Sequence, residues 1–85
     1  MSSSIHVVNK SSSAIEVFIS TYNGGSDDWF NIAPKKFEIW NRTGGWELVA
    51  FRVPGTGTQP PRTGIYVNVD DTPVVEFHSF DDVHI

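Results

Sequence analysis

Apolar and polar residues alternate along most of this chain. Ile15, Val17 and Ile19 interleave with Glu16, Phe18 and Ser20, and Val49, Phe51 and Val53 with Leu48, Ala50 and Arg52. Phe37 and Ile39, Ile65, Val67 and Val69, and Val75 and Phe77 continue the pattern. Successive side chains of an extended chain point to opposite faces, so this period marks half-buried strands. The apolar positions are mainly β-branched or aromatic, which suits a pleated surface. No window repeats apolar residues at i, i+3, i+4 and i+7, as a helix would require. Turn-forming clusters cut the runs: Lys10-Ser-Ser-Ser13, Asn23-Gly-Gly-Ser26, Ala33-Pro34-Lys35, Thr43-Gly-Gly45, Pro54 to Pro61 and Asp70-Asp-Thr-Pro73. Strands are predicted near 4–9, 14–21, 28–32, 36–42, 46–53, 64–69, 74–79 and 81–85. The expected fold is all-β: a single compact antiparallel β-sandwich of about seven to eight short strands, one domain over residues 1–85.

Alternation also assigns faces. The expected core is Ile15, Val17, Ile19, Phe37, Ile39, Val49, Phe51, Val53, Ile65, Val67, Val69, Val75 and Phe77. Phe18, Trp40, Trp46, Leu48, Tyr66 and His78 then fall on opposite faces. That second set is too apolar for a solvated surface and points to a partner interface or a ligand platform.

Composition narrows the classes. The chain has no cysteine, hence neither a disulfide nor a thiolate metal site. A small core without staples favours oligomerisation, so a homodimer is expected. The lack of cysteine fits a reducing, cytoplasmic setting. No apolar run approaches the roughly 20 residues of a membrane helix, and Met1 to His6 lacks a secretion pattern. Without a leader, the sequons Asn9-Lys-Ser11 and Asn41-Arg-Thr43 read as chance. The net charge is −4 and the six Lys and Arg are scattered. That argues against nucleic acid and against an anionic membrane surface.

The stretch from Asn23 to Phe30 delivers two carboxylates into an aromatic pair. Asp27, Asp28 and Trp29, with Asn23 and Ser26, combine hydrogen-bonding groups with a flat ring, the parts that a sugar site uses. The plainer alternative is a structural turn leading into a core tryptophan. Trp40-Asn41-Arg42 and Trp46-Glu47 flank Thr43-Gly44-Gly45, which reads as a hairpin tip. Arg42 and Glu47 then form a surface ion pair, or Arg42, with Trp40 or Trp46, joins the ligand site. Asp70-Asp71 and Asp81-Asp82 raise calcium, but no loop spaces oxygens as a calcium site needs. His6, His78 and His84 are not spaced as a local metal motif, and no metal or other cofactor is expected. No nucleophile elbow, P-loop or dinucleotide fingerprint is present, and no enzyme activity is expected.

Gly24-Gly-Ser-Asp-Asp-Trp-Phe30, Trp40 with Arg42, Gly45-Trp-Glu-Leu-Val-Ala-Phe-Arg52, Gly64-Ile-Tyr-Val67 and Phe77-His-Ser-Phe-Asp-Asp82 resemble a group of small fungal proteins. That group is similar to nematode proteins up-regulated in long-lived insulin-receptor mutants. The resemblance runs from about residue 5 to the end, and the block Trp46–Arg52 is its most specific part. It implies a compact antiparallel β-sandwich, often dimeric and cytosolic. Small mushroom proteins of this style are often fruiting-body lectins.

The expected function is a non-enzymatic lectin with a shallow site: Asp27, Asp28 and Trp29 at the centre, Asn23, Arg42 and Trp46 beside them. Membrane contact would come only through glycoconjugates. The alternatives are a structural or protein-interaction sandwich that uses its aromatics for dimer or partner contact, and a lipid-binding defence protein of the aegerolysin kind.

Overall fold

The structure, a computed structural model, describes residues 3–21, 28–56 and 59–85. Eight strands form in chain order: β1 (Ser3–Asn9), β2 (Ile15–Ile19), β3 (Phe30–Ile32), β4 (Phe37–Arg42), β5 (Trp46–Arg52), β6 (Arg62–Asn68), β7 (Val74–Ser79) and β8 (Asp82–His84). All eight overlap the strands predicted from the sequence. They build two four-stranded sheets, ordered β4-β1-β7-β8 and β3-β2-β5-β6, called below the β1 sheet and the β2 sheet. The expected sandwich is therefore present. One pairing departs from the antiparallel expectation: β1 and β7 run parallel, with His6 opposite Val74 and Val8 opposite Glu76.

The core lies between the sheets. Ile5, Val7, Ile15, Val17, Ile19, Ile32, Val49, Phe51, Val67, Val69, Val75 and Phe77 are buried. Phe51 of the β2 sheet meets Phe77 of the β1 sheet at 5.0 Å between ring centroids. Aromatic pairs at such separations add specific attraction to the burial of apolar area.

Strand β4 reverses the expected faces. Trp40 is buried, whereas Phe37 and Ile39 are 59% and 47% exposed. The strand is apolar at both parities, so alternation alone cannot orient it. Its register decides: Ile5, an inward residue of β1, pairs with Trp40, and His6 pairs with Ile39. Cross-strand partners share a face, so Trp40 turns inward, where its ring meets Phe30 edge-on at 5.8 Å.

The expected hairpin at residues 43–45 is also absent, because β4 and β5 belong to different sheets. The chain crosses from one sheet to the other here. Gly44 and Gly45 take φ of 139° and 79°, values that strain residues with a Cβ. A Cβ on Gly44 would stand 2.6 Å from Asp70 Oδ1.

Asn9, fully buried, fastens the sandwich at the other end of β1. Its Nδ2 donates to the carbonyls of Ser13, Ile32 and Ala33 at 2.8, 3.1 and 3.3 Å. Its Oδ1 accepts from Ser11 N and Oγ at 3.0 and 2.6 Å. One amide thus joins β1 to the loop before β2 and to the end of β3.

The orientation of β4 sets opposite costs for neighbouring residues. Trp40→Ala should destabilise the fold by about 3–5 kcal/mol, whereas Phe37→Ser should stay within about 0.5 kcal/mol. Urea unfolding of the two variants measures both, and the reverse ranking would restore the face read from the sequence.

Candidate functional site

The outer face of the β2 sheet gathers most of the surplus aromatics. Buried residues alternate along β2 and β5, so Glu16, Phe18, Trp46, Leu48, Ala50 and Arg52 point away from the core. On β6 the outward set is Arg62, Gly64, Tyr66 and Asn68. The register lays these out as rows: Arg52 beside Arg62, Ala50 beside Gly64, Leu48 beside Tyr66, Trp46 beside Asn68. Phe18 of β2 joins the Ala50–Gly64 row. Two small residues side by side leave a shallow floor there. A Cβ on Gly64 would approach Leu48 Cδ1 and the Val49 carbonyl to 3.1 Å, so the Leu48 side chain leans against the Gly64 side of that floor.

Rings and guanidinium groups border the floor. Trp29, just before β3, lies 5.4 Å from Phe18 between ring centroids. The Arg52 guanidinium stands 4.0 Å over the Trp29 ring and that of Arg62 stands 5.4 Å from it. The negative face of an indole attracts a cation at such distances. Arg52 Nε also donates to Glu16 Oε1 at 2.8 Å, so this arginine is held in place from two sides. Tyr66 and Trp46 stand on the other side of the floor, 57% and 60% exposed. At roughly 3.3 Å per residue the platform from the Ala50 row to the Trp46 row spans about 13 Å.

The residues expected to form one site are dispersed. Asn23, Ser26 and Asp27 lie outside the described residues. Asp28 is exposed and Trp29 half-buried at the platform's edge. Trp46 lies on the same face, two rows from the Ala50 row. Arg42 is elsewhere: it is 4% exposed, directed between the sheets. Its Nη2 donates to Ile19 O at 3.1 Å, its Nε to Ser20 O at 3.3 Å and its Nη1 to Asn41 O at 2.9 Å. Glu47 is fully buried, and its Oε1 accepts from Ser20 Oγ at 2.6 Å. Leu48 N in turn donates to that Oγ at 2.8 Å. Arg42 and Glu47, expected on the surface, are instead buried, and both take part in polar contacts around Ser20. Trp40, also expected on an outer face, belongs to the core.

Arg52, Arg62, Ala50 and Gly64 escaped the sequence reading. Their places depend on strand register, and the only sequence signal was the shared parity of 46, 48, 50 and 52.

Two other features could hold a ligand. A cleft of about 340 Å³ opens beneath the β7–β8 turn, lined mainly by Ala14, Ile15, Val53, Phe77 and Phe80. The fold also brings together two histidines that the sequence separates. His78 and His84 stack at 5.0 Å with planes 7° apart, beside Glu76. The bonded His78 ring above all, aided by Lys10 and His84, holds the Glu76 carboxyl below its ordinary value.

No family model, curated protein or solved structure matches the chain. Among the described residues no helix is long and apolar enough to cross a membrane.

The joint at Ser20 makes Arg42 a fastening between sheets. Arg42→Ala should lower unfolding free energy by about 2–4 kcal/mol, because the Ile19 and Ser20 carbonyls lose their donor inside the protein. An unchanged guanidinium unfolding midpoint would remove Arg42 from that role.

Proposed function

We propose that the protein is a non-enzymatic carbohydrate-binding module that takes its ligand on the outer face of the β2 sheet. One observation carries this reading: Phe18, Trp29, Trp46 and Tyr66 share that face around the small floor of Ala50 and Gly64. The C–H face of a sugar ring stacks on such rings, and its hydroxyls need charged or amide partners at the margin. Tyr66 and Trp46 offer the most open rings. Arg62, 5.4 Å from the Trp29 ring, and Asp28, its neighbour in the chain, are exposed polar groups. Arg52 stacks over Trp29, which also meets Phe18, and so braces that ring at the border. The block Trp46–Arg52, the most specific part of the resemblance to small fungal proteins, supplies four outward residues of this face. A shallow platform binds each sugar weakly, so avidity from a dimer would matter. The cytoplasm, where a cysteine-free chain loses nothing to reduction, is the proposed compartment.

A glycan array with the purified protein tests the reading. Tyr66→Ala and Trp46→Ala should each weaken binding about tenfold, the equivalent of one lost stacking contact of about 1.4 kcal/mol, with unchanged unfolding. Full binding by both variants would move the ligand off this face. A blank array from folded protein would favour an interaction role instead.

A second reading rests on β4. This strand ends the β1 sheet, and Phe37 and Ile39 face outward along it. An open edge with apolar side chains is a template for pairing with another strand. We propose a homodimer through this edge. Ile39→Lys should convert the dimer to a monomer in sedimentation equilibrium. A wild-type monomer at high concentration would discard the dimer, and a dimer that survives the substitution would place its interface elsewhere.

A further inference from the structure

The β7–β8 hairpin carries a group of ligands on the outer face of the β1 sheet, away from the aromatic platform. Glu76 and His84 are direct cross-strand partners. The register then slips: Phe77 pairs with Val83 and Ser79 with Asp82, which leaves His78 as the extra residue of a bulge. Bulges re-aim side chains, and this one sets the His78 ring against His84. His78 Nε2 lies 3.0 Å from Glu76 Oε1, and His84 Nε2 lies 4.0 Å from the same oxygen. One ligand atom from each of the three residues falls within 4.8 Å of the others. Among the described residues this is the only group of His and carboxylate side chains so placed.

We propose that Glu76, His78 and His84 bind a divalent ion of the zinc, copper and nickel class. Two imidazoles and one carboxylate are the donor set such ions favour, while calcium and magnesium prefer oxygen alone. Ligands on one tetrahedral zinc stand about 3.3 Å apart, close to the spacings above. The two exposed rings, now stacked 7° from parallel, must swing out of the stack so that both Nε2 lone pairs converge on the ion. The second nitrogen of His84 is already engaged: Nδ1 lies 2.9 Å from Asp82 Oδ1. A proton on Nδ1, donated to Asp82, leaves the lone pair on Nε2, facing Glu76. This carboxylate–histidine arrangement is the usual support of a metal-bound imidazole. Three protein ligands on an open surface leave the fourth position to water. The ion would tie the three-residue strand β8 to β7, its only neighbour in the sheet.

Titration of the metal-free protein with zinc chloride, followed by calorimetry and by NMR of the histidine rings, tests the proposal. The expected result is one zinc per chain, with ring signals of His78 and His84 shifting and those of His6 unmoved. His84→Ala and Glu76→Gln should abolish the heat, and Asp82→Asn should weaken binding about tenfold through loss of ring support. All three positions are on the surface, so the variants should fold, as circular dichroism would verify. The absence of binding, shifts at His6 alone, or undiminished binding by a His78→Ala, His84→Ala double variant would overturn the assignment. Calcium chloride in place of zinc should give no shift, and equal binding of both ions would refute the imidazole ligands.

Discussion

Apolar contact between two sheets is non-directional and would tolerate sliding. Directional bonds prevent it here, and the rest of the structure depends on them. At one end of β1, Asn9 commits its whole amide to two other segments, the loop before β2 and the end of β3. Toward the other end, Arg42 leaves the β1 sheet and bonds to carbonyls at the end of β2, where Ser20 also meets Glu47. A shift of one sheet against the other would strand these groups away from water. Each buried polar group left without a partner costs about 1–3 kcal/mol. The register so fixed determines which residues turn inward and which form the outer faces.

The segment Trp46–Arg52 illustrates how much follows. Its odd residues, Glu47, Val49 and Phe51, are buried, as polar joint and as core. Its even residues, Trp46, Leu48, Ala50 and Arg52, compose the middle of the aromatic platform. One strand therefore supplies both the core and the outer aromatic face, with no residue to spare. The arginines are divided similarly. Arg42 is buried in the joint, Arg52 braces Trp29, and Arg62 remains exposed at the platform's margin.

Much of the architecture was legible in the sequence, because period-two patterning directly reports strands and turn residues report their ends. The faces of β2, β5 and β7 were legible too, since Ile15, Val17 and Ile19, Val49 and Phe51, and Val75 and Phe77 each share one parity. Strand β4 was not, because Phe37, Ile39 and Trp40 are apolar at both parities and only pairing with Ile5 separates them. Glu47 illustrates a different limit. A charged residue beside a glycine turn reads as surface, and nothing local reveals that Ser20 will meet it. The same holds for the site: the surplus of aromatics was visible, but Arg52, Arg62 and Gly64 enter only through cross-strand neighbours. The two histidines converge through a bulge at position 78, which no spacing rule announces.

The parallel partnership of β1 and β7 has a consequence for how the chain is made. While a ribosome is still elongating, β2 can pair with β3 and β5 with β6, because each partner follows closely. β1 is different. Until Val74 to Phe77 have emerged, one side of the first strand has its hydrogen-bonding groups bare. A bare strand edge accepts any extended segment that drifts near it. The nascent protein therefore carries this bare edge from the emergence of β1 until that of β7, and a chain stalled between the two would keep it.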